Sequence, residues 1–252
     1  MTGTDAVRQI GEDLLASGLR RGGAALVHSS LSSMGYVPGG AETVVRGFLR
    51  ALGPEGTLLM PALSHRHVDK AQPVFDVLRT PSNVGTIPEY FRTRPGTVRS
   101  VHPTHSVCGM GARVEAFLGD HFRDDTPCGM HSPFRKLRGR DGQVLLLGCG
   151  LRPNTSMHAI EEVVGPPYLF GSTVAYRTIL PDGREIEARG RRHSFAGWSQ
   201  RYDRIEPLLR DGGLRVGRVL EATVHVLDCR PMWAQALAAL EGDVFYFVDK
   251  KT

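Results

Sequence analysis

The sequence predicts an α/β protein, a sheet with helices on its faces followed by a β-rich C-terminal part. Three observations predict it. The first sixty residues alternate helix, strand, loop, helix, strand. The apolar run Gln143–Gly148 (QVLLLG) reads as a buried strand with a helix soon after it. Beyond residue 170, two strand-like runs flank Pro181-Asp182-Gly183, a hairpin signature.

The elements follow in order. Thr4–Gly18 is expected as an opening helix: Thr4 caps it, Val7, Ile10, Leu14 and Leu15 share one face, and Gly18 ends it. Ala24–His28 is a short buried strand, followed by a serine-rich loop, Ser29–Gly35. Ala41–Leu52 is a second helix stopped by Gly53-Pro54, and Thr57–Met60 is a strand ended by Pro61. Patterning fades from Ala62 to about Pro95, apart from a short helix at Gly85–Arg92; irregular chain of that length is usually functional. Val107–Gly111 is apolar, Ala112–Gly119 helical, and Asp124–Pro133 a loop. Asn154 and Thr155 cap a helix that runs to Val164 and stops at Gly165-Pro166-Pro167. Ser172–Leu180 and Arg184–Gly190 are the hairpin strands. Gln200–Leu209 is helical, Ala222–Leu227 a strand, Pro231–Leu240 a helix and Val244–Val248 a final strand. No fixed repeat or clear linker divides the chain, so one domain over residues 1–252 is expected.

Composition excludes several classes. With 41% hydrophobic and 23% charged residues, the chain is neither disordered nor low in complexity. The longest apolar run is Val144–Cys149, broken by Gly148, whereas a spanning helix needs ~20 residues. No membrane span is expected, and the first residues show no secretory signal. Cys108, Cys128, Cys149 and Cys229 are dispersed without a C-x-x-C pair, which suits reduced, buried thiols in a cytoplasmic chain. The net charge of +5 is not concentrated in any long Lys/Arg block, so nucleic acid is not an expected partner. It does suit an anionic cofactor.

The strongest local constellation is Asn154–Glu162 (NTSMHAIEE). On a helix, Glu161 and Glu162 stand three and four residues after His158, so either carboxylate can reach the imidazole. Such a partner fixes the tautomer and raises the basicity of a general base. From spacing alone, a surface helix with an incidental His–Glu pair is an equal reading. The second constellation is His28–Gly35 (HSSLSSMG), directly after a strand, where small residues let a ligand approach backbone N–H groups. It matches no Walker A loop, no G-x-G-x-x-G and no G-x-S-x-G elbow; a polar turn is the bland alternative. The third is Arg99–Ser106. His102 and His105 suggest metal ligands, joined by His65, His67, His121 or His131, but no spacing matches a zinc pattern and no metal is expected.

Taken together, V-H-S-S-L-S-x-x-G (Val27–Gly35), P-G-G-A-E-T (Pro38–Thr43) and G-T-L-L-M-P (Gly56–Pro61) resemble the aminoglycoside 3-N-acetyltransferases. So do R-S-x-H-P-x-H-S (Arg99–Ser106), T-P-x-G-x-x-S-P (Thr126–Pro133) and N-T-S-x-H-x-x-E (Asn154–Glu161). The likeness runs from about Gly22 to Gly165 and loosens in the last third. It implies a three-layer α/β/α sandwich with a central mixed sheet, distinct from the GNAT acetyltransferases. It also implies acetyl-CoA as co-substrate and acetylation of the 3-amine of a 2-deoxystreptamine aminoglycoside. Carried over residue by residue, His158 is the base and Glu161 its orienting acid, with His28 close to the thioester. Ser29, Ser30, Leu31, Ser32, Tyr36, Val37, His102, Ser106 and Val107 would line the cofactor channel.

The chemistry then expected is direct transfer in a ternary complex, with no covalent enzyme intermediate. A backbone N–H or hydroxyl of Ser29–Ser32, or His28, would stabilise the oxyanion. A polycationic acceptor wants carboxylates, and Asp69, Asp76, Glu162 and Asp203 are the candidates for binding it. Two alternatives stand beside this reading: an N-acyltransferase of the same fold acting on another amine of secondary metabolism, and a non-catalytic, histidine-rich metal or ligand binder. Either a monomer or a homodimer fits the sequence.

Overall fold

The computed structural model describes residues 2–209 and 212–251. In chain order its strands are β1 (Ala24–Ser29), β2 (Thr57–Pro61), β3 (Val74–Asp76), β4 (Val98–Arg99), β5 (Val107–Gly111), β6 (Gln143–Leu147), β7 (Phe170–Ile179), β8 (Glu185–His193), β9 (Trp198–Gln200), β10 (Leu214–Val219), β11 (Ala222–Asp228) and β12 (Val248–Lys250). The α-helices are α1 (Gly3–Ala16), α2 (Gly40–Leu52), α3 (Thr86–Thr93), α4 (Val114–Leu118), α5 (Pro133–Gly139), α6 (Ser156–Val164) and α7 (Cys229–Gly242).

Seven strands form a mixed central sheet in the order β10-β11-β6-β1-β2-β5-β4. β1 runs parallel to both β2 and β6, while β5 is antiparallel to β2 and β11 antiparallel to β6. The central strands are buried on both sides, which is why they read as continuous apolar runs. Alternate residues serve opposite faces. Ala24, Leu26, Val144 and Leu146 pack with Phe117, Phe134, Met157, Ile160 and Trp233 of α4–α7. Ala25, Val27, Leu145 and Leu147 pack with Ile10, Leu14, Val44, Phe48 and Phe91 of α1–α3. The result is the expected α/β/α sandwich. The C-terminal third is β-rich, also as expected: β7 and β8 pair with β3 in a second sheet, β9 and β12 form a two-stranded ribbon, and β10–β11 complete the main sheet.

Local differences from the sequence reading have physical causes. Thr2, not Thr4, caps α1, because Asp5 lies three residues after it: the Asp5 N–H donates to the Thr2 hydroxyl and the Thr2 N–H to the Asp5 carboxylate. At α6 the Asn154 side chain accepts the Ser156 N–H, and the Thr155 side chain caps nothing. Gln200–Leu209 is not an α-helix; Tyr202–Ile205 and Pro207–Leu209 make two short 3₁₀ turns, separated where Pro207 lacks an N–H donor. Val244–Phe247 is not a strand, since the Asp243 carboxylate takes the Phe245 N–H and folds the chain into a turn. Helix α5 begins where a loop was expected to end. Its signal is Ser132 at the cap and Pro133 at the first helical position.

This topology positions the site. The chain leaves β1 for β2 on one side and later returns to β6 on the other, so the carboxyl ends of β1 and β6 diverge into a crevice. The chain entering β5 comes to the same end, because β5 is antiparallel to β2. Gly148 ends β6 at φ +69°, and a Cβ there would overlap the Ser33 hydroxyl, so glycine alone allows the turn toward α6. Among the described residues, no helix is long and apolar enough to cross a membrane.

Candidate active site

A cavity of about 890 Å³ opens at this end of the sheet. Its walls come from the loop after β2 (Leu63, His65, Arg66), the approach to β5 (Thr104, His105), the β6–α6 connection (Cys149, Arg152, Pro153, Thr155), His158 of α6, and the Arg192–Tyr202 segment.

His158 lies within the first turn of α6, buried apart from its cavity side. Its Nδ1 is 3.3 Å from Glu161 Oε2 and 2.8 Å from the Tyr202 hydroxyl oxygen. The Tyr202 hydroxyl donates to the same Glu161 oxygen at 2.7 Å, and the Tyr168 hydroxyl donates to the other at 2.9 Å. Burial and the neighbouring Glu161 charge raise the pKa of both phenols above the ordinary tyrosine value, so they remain donors at neutral pH. With the Tyr202 proton given to Glu161, the donor available to both oxygens is Nδ1–H. That leaves the imidazole lone pair on Nε2.

Three further histidines share this wall, His65 among them. The His105 and His193 rings lie 5.9 and 4.9 Å, centroid to centroid, from the His158 ring. His193 Nε2 is 2.7 Å from Glu162 Oε1, and His105 Nδ1 is 2.9 Å from the Thr104 hydroxyl. Burial pushes both imidazoles well below their ordinary pKa, so they are neutral at neutral pH. Burial also pushes the Cys149 thiol up to about 11; it is a thiol, not a thiolate nucleophile, at neutral pH. Among the described residues, the cavity walls carry Arg66, Arg152, Arg192 and Lys251 but no aspartate or glutamate.

The other expected site residues scatter. His28 is buried at the end of β1, outside the cavity wall, with Nε2 unpartnered. Burial, reinforced by His158, pushes its pKa down to about 3. The Ser29 hydroxyl is likewise buried without a partner, while the Ser30 N–H already donates to Leu147 O and the Ser30 and Ser32 hydroxyls meet at 3.2 Å. Leu31 packs half-buried against the core, and Tyr36 projects into solvent, 87% exposed. Val37 and Val107 are core residues rather than channel lining. Ser106 is fully buried between Arg99 Nε and the Ala62 carbonyl. His102 stacks on His121, and its Nδ1 accepts the Thr104 and His105 N–H groups, so it shapes the turn that carries His105.

None of the four acids expected to bind a cationic acceptor lines the cavity. Asp69 and Asp76 each accept two N–H groups of their own turns. Asp203 pairs with Arg201. Glu162 is buried and holds the Thr126 hydroxyl, the Cys128 N–H and His193. Sequence reasoning missed Tyr168, Tyr202 and His193. No spacing signals them, since each reaches the site from a separate element.

The sequence profile of the aminoglycoside 3-N-acetyltransferases matches residues 26–241. Aminoglycoside N(3)-acetyltransferase VIII of Streptomyces fradiae is 32% identical over 248 residues, covering 86% of this chain and 85% of the relative. Aminoglycoside N(3)-acetyltransferase VII of Streptomyces paromomycinus is 35% identical over 176 residues, covering 63% of this chain and 61% of that relative, less than two thirds of its length. The solved structure of AAC-IIIb in a binary complex with coenzyme A superposes with a TM-score of 0.80 at 28% identity, covering 96% of this chain and 97% of that one.

Proposed function

The chain belongs to the aminoglycoside 3-N-acetyltransferase family, a family of enzymes, and from that premise we propose that it transfers the acetyl group of acetyl-CoA directly to the 3-amine of a 2-deoxystreptamine aminoglycoside. The observation that carries this reading is the anchored imidazole: Nδ1 tied to Glu161 and Tyr202, Nε2 left with its lone pair, the ring on a cavity wall. An ammonium has no lone pair to attack a thioester. His158 Nε2 takes the proton, and the amine nitrogen bonds to the acetyl carbon. The C–S bond then breaks, and the proton passes on to the departing sulfur. A positioned histidine contributes about 10² to 10⁴ in rate. The buried, unpartnered Ser29 hydroxyl and His28 Nε2 are the candidate donors to the oxyanion.

The coenzyme A complex of AAC-IIIb supports the class of co-substrate, and Ser29–Ser32 and exposed Tyr36 remain the proposed contacts. Arg66, Arg152, Arg192 and Lys251 suit its phosphates. The neutral Cys149 on the cavity wall supports transfer without an acyl-enzyme on its sulfur. The cytoplasm, which keeps the four free cysteines reduced, is the proposed compartment.

One observation favours a second reading. Walls whose described residues include four cations and no carboxylate do not complement a polycation. They suit an amine that also carries an acidic group. Thiol release from acetyl-CoA, measured with a panel of aminoglycosides and a panel of amino sugars bearing carboxylate or phosphate, decides between them. Turnover of an aminoglycoside, with the product acetylated at N3, supports the first reading. Turnover confined to the acidic amines replaces it with the second, and thiol release with neither panel removes both acceptors.

A further inference from the structure

Three of the four histidines on the cavity wall, His105, His158 and His193, share an arrangement that base catalysis does not use. One nitrogen from each of His105, His158 and His193 lies within 4.8 Å of the others. In each ring one nitrogen is braced by an oxygen, which leaves the other free: Thr104 Oγ1 braces His105 Nδ1, Glu161 and Tyr202 brace His158 Nδ1, and Glu162 braces His193 Nε2. A single base needs one such brace. Three clustered rings, each with one nitrogen braced, are the pattern of metal ligation, where a carboxylate or hydroxyl fixes each tautomer and orients the free nitrogen. His193 supplies an independent sign: its side chain is 5% exposed, and its Nδ1 is buried without a hydrogen-bond partner. Adjacent Glu161 and Glu162 place two carboxylates directly behind the rings, where they offset an added positive charge.

We infer that His105, His158 and His193 form a binding site for a divalent transition-metal cation of the zinc class, with its fourth position open to the cavity. The ligand type and number suit that cation: three imidazoles plus one exchangeable position, with Zn–N distances of about 2.0–2.1 Å, which at tetrahedral angles set the ligand nitrogens roughly 3.4 Å apart. The three nitrogens already lie within 4.8 Å of one another. The spacing 105, 158, 193 matches no linear zinc motif because the ligands come from the approach to β5, from α6 and from the end of β8. This inference rests on the placement of His158 and not on its role as a base. The two uses of Nε2 exclude each other, so the bound cation shuts off acetyl transfer.

The test uses cobalt(II) as a spectroscopic probe on the chelator-treated full chain. Expected are visible d–d bands of a four-coordinate site that saturate at one Co²⁺ per chain and are displaced by Zn²⁺. His105→Gln and His193→Gln each weaken Co²⁺ binding at least tenfold. Glu162→Gln, which keeps all three ligands and removes the brace behind His193, weakens it about 10- to 100-fold. Exposed His67, outside the cavity wall, serves as the control, and His67→Gln binds as the parent does. Zn²⁺ inhibits thiol release, and chelator restores it. Absence of the bands in the unmodified chain overturns the inference without any variant having to fold. Bands that persist unchanged in both ligand variants overturn it as well. Neither result bears on the base, which is read from turnover in metal-free buffer.

Discussion

Two strand ends of this protein carry similar sequences and have different fates. At the end of β1 stands His28 with a run of serines; after β6 stands Asn154-Thr155-Ser156 with His158. Both histidines sit where an α/β sheet usually binds ligands. The His28 ring is buried, lacks a carboxylate, leaves Nε2 unpartnered and is pushed to a pKa of about 3. His158 has a carboxylate three residues on, a phenol from residue 202, and a cavity before it. The comparison teaches that a strand end supplies a location and not a function. An imidazole becomes a base when one nitrogen is anchored and the other can reach a reactant.

The largest expected effect tests that contrast directly. His158→Ala lowers the rate of thiol release by about 10² to 10⁴, while coenzyme A binding, measured by calorimetry, survives. Turnover near the parent rate in this variant takes the base role away from His158. Glu161→Gln comes next. It leaves the ring in place but removes the negative charge and replaces one of the two acceptor oxygens with an NH2 donor, and the rate falls by a factor of up to about 10⁴, as when the carboxylate behind a catalytic histidine is lost. A fall in kcat without a rise in the KM for acetyl-CoA marks an orienting rather than a binding role.

Smaller effects probe the β1 end. Tyr36→Ala removes an 87% exposed ring that is available for stacking on the adenine of the co-substrate. A stacked base is worth about 1–3 kcal/mol, so the KM for acetyl-CoA rises at least fivefold while kcat holds. An unchanged KM removes Tyr36 from the cofactor path. The smallest effect concerns stability. His28 has a folded pKa of about 3 against an ordinary 6.5. Above pH 6.5 it is neutral in both states. As pH falls below 6.5 toward 3, the unfolded chain gains a proton that the folded chain refuses, and stability declines by about 1.4 kcal/mol per pH unit. Urea unfolding between pH 7 and 5 is therefore less steep in pH for His28→Leu than for the parent, by about one proton. Equal slopes in the two proteins count against a neutral, buried His28.

Much of the fold is legible because both faces of β1, β2 and β6 are covered. Burial on two sides forces continuous apolar runs such as Val144–Leu147, and local caps mark the helices between them. The hairpin of β7 and β8 is equally local, announced by Pro181-Asp182-Gly183. Less legible are the short strands β3, β9 and β12, whose three residues are fixed by partners far along the chain, and β4, whose two residues are too few to show a period. Within the site, His158 and Glu161 could be read because one helical turn sets their distance. The acids Asp69, Asp76 and Asp203 could not be excluded in advance, since a carboxylate in a turn looks the same in sequence whether it faces a ligand or caps its own backbone.

The sequence by itself determined the alternating layers and the one contact that lies within a single turn of helix. Hydrophobic period and capping act over a few residues, so they are written locally. Tertiary structure alone decided that Tyr202 would hold His158, that Glu162 would serve His193 instead of an acceptor, and that residues 105, 158 and 193 would meet. Those meetings depend on strand order and on the docking of a second sheet, and no linear spacing encodes a distance that is closed only when separate elements pack.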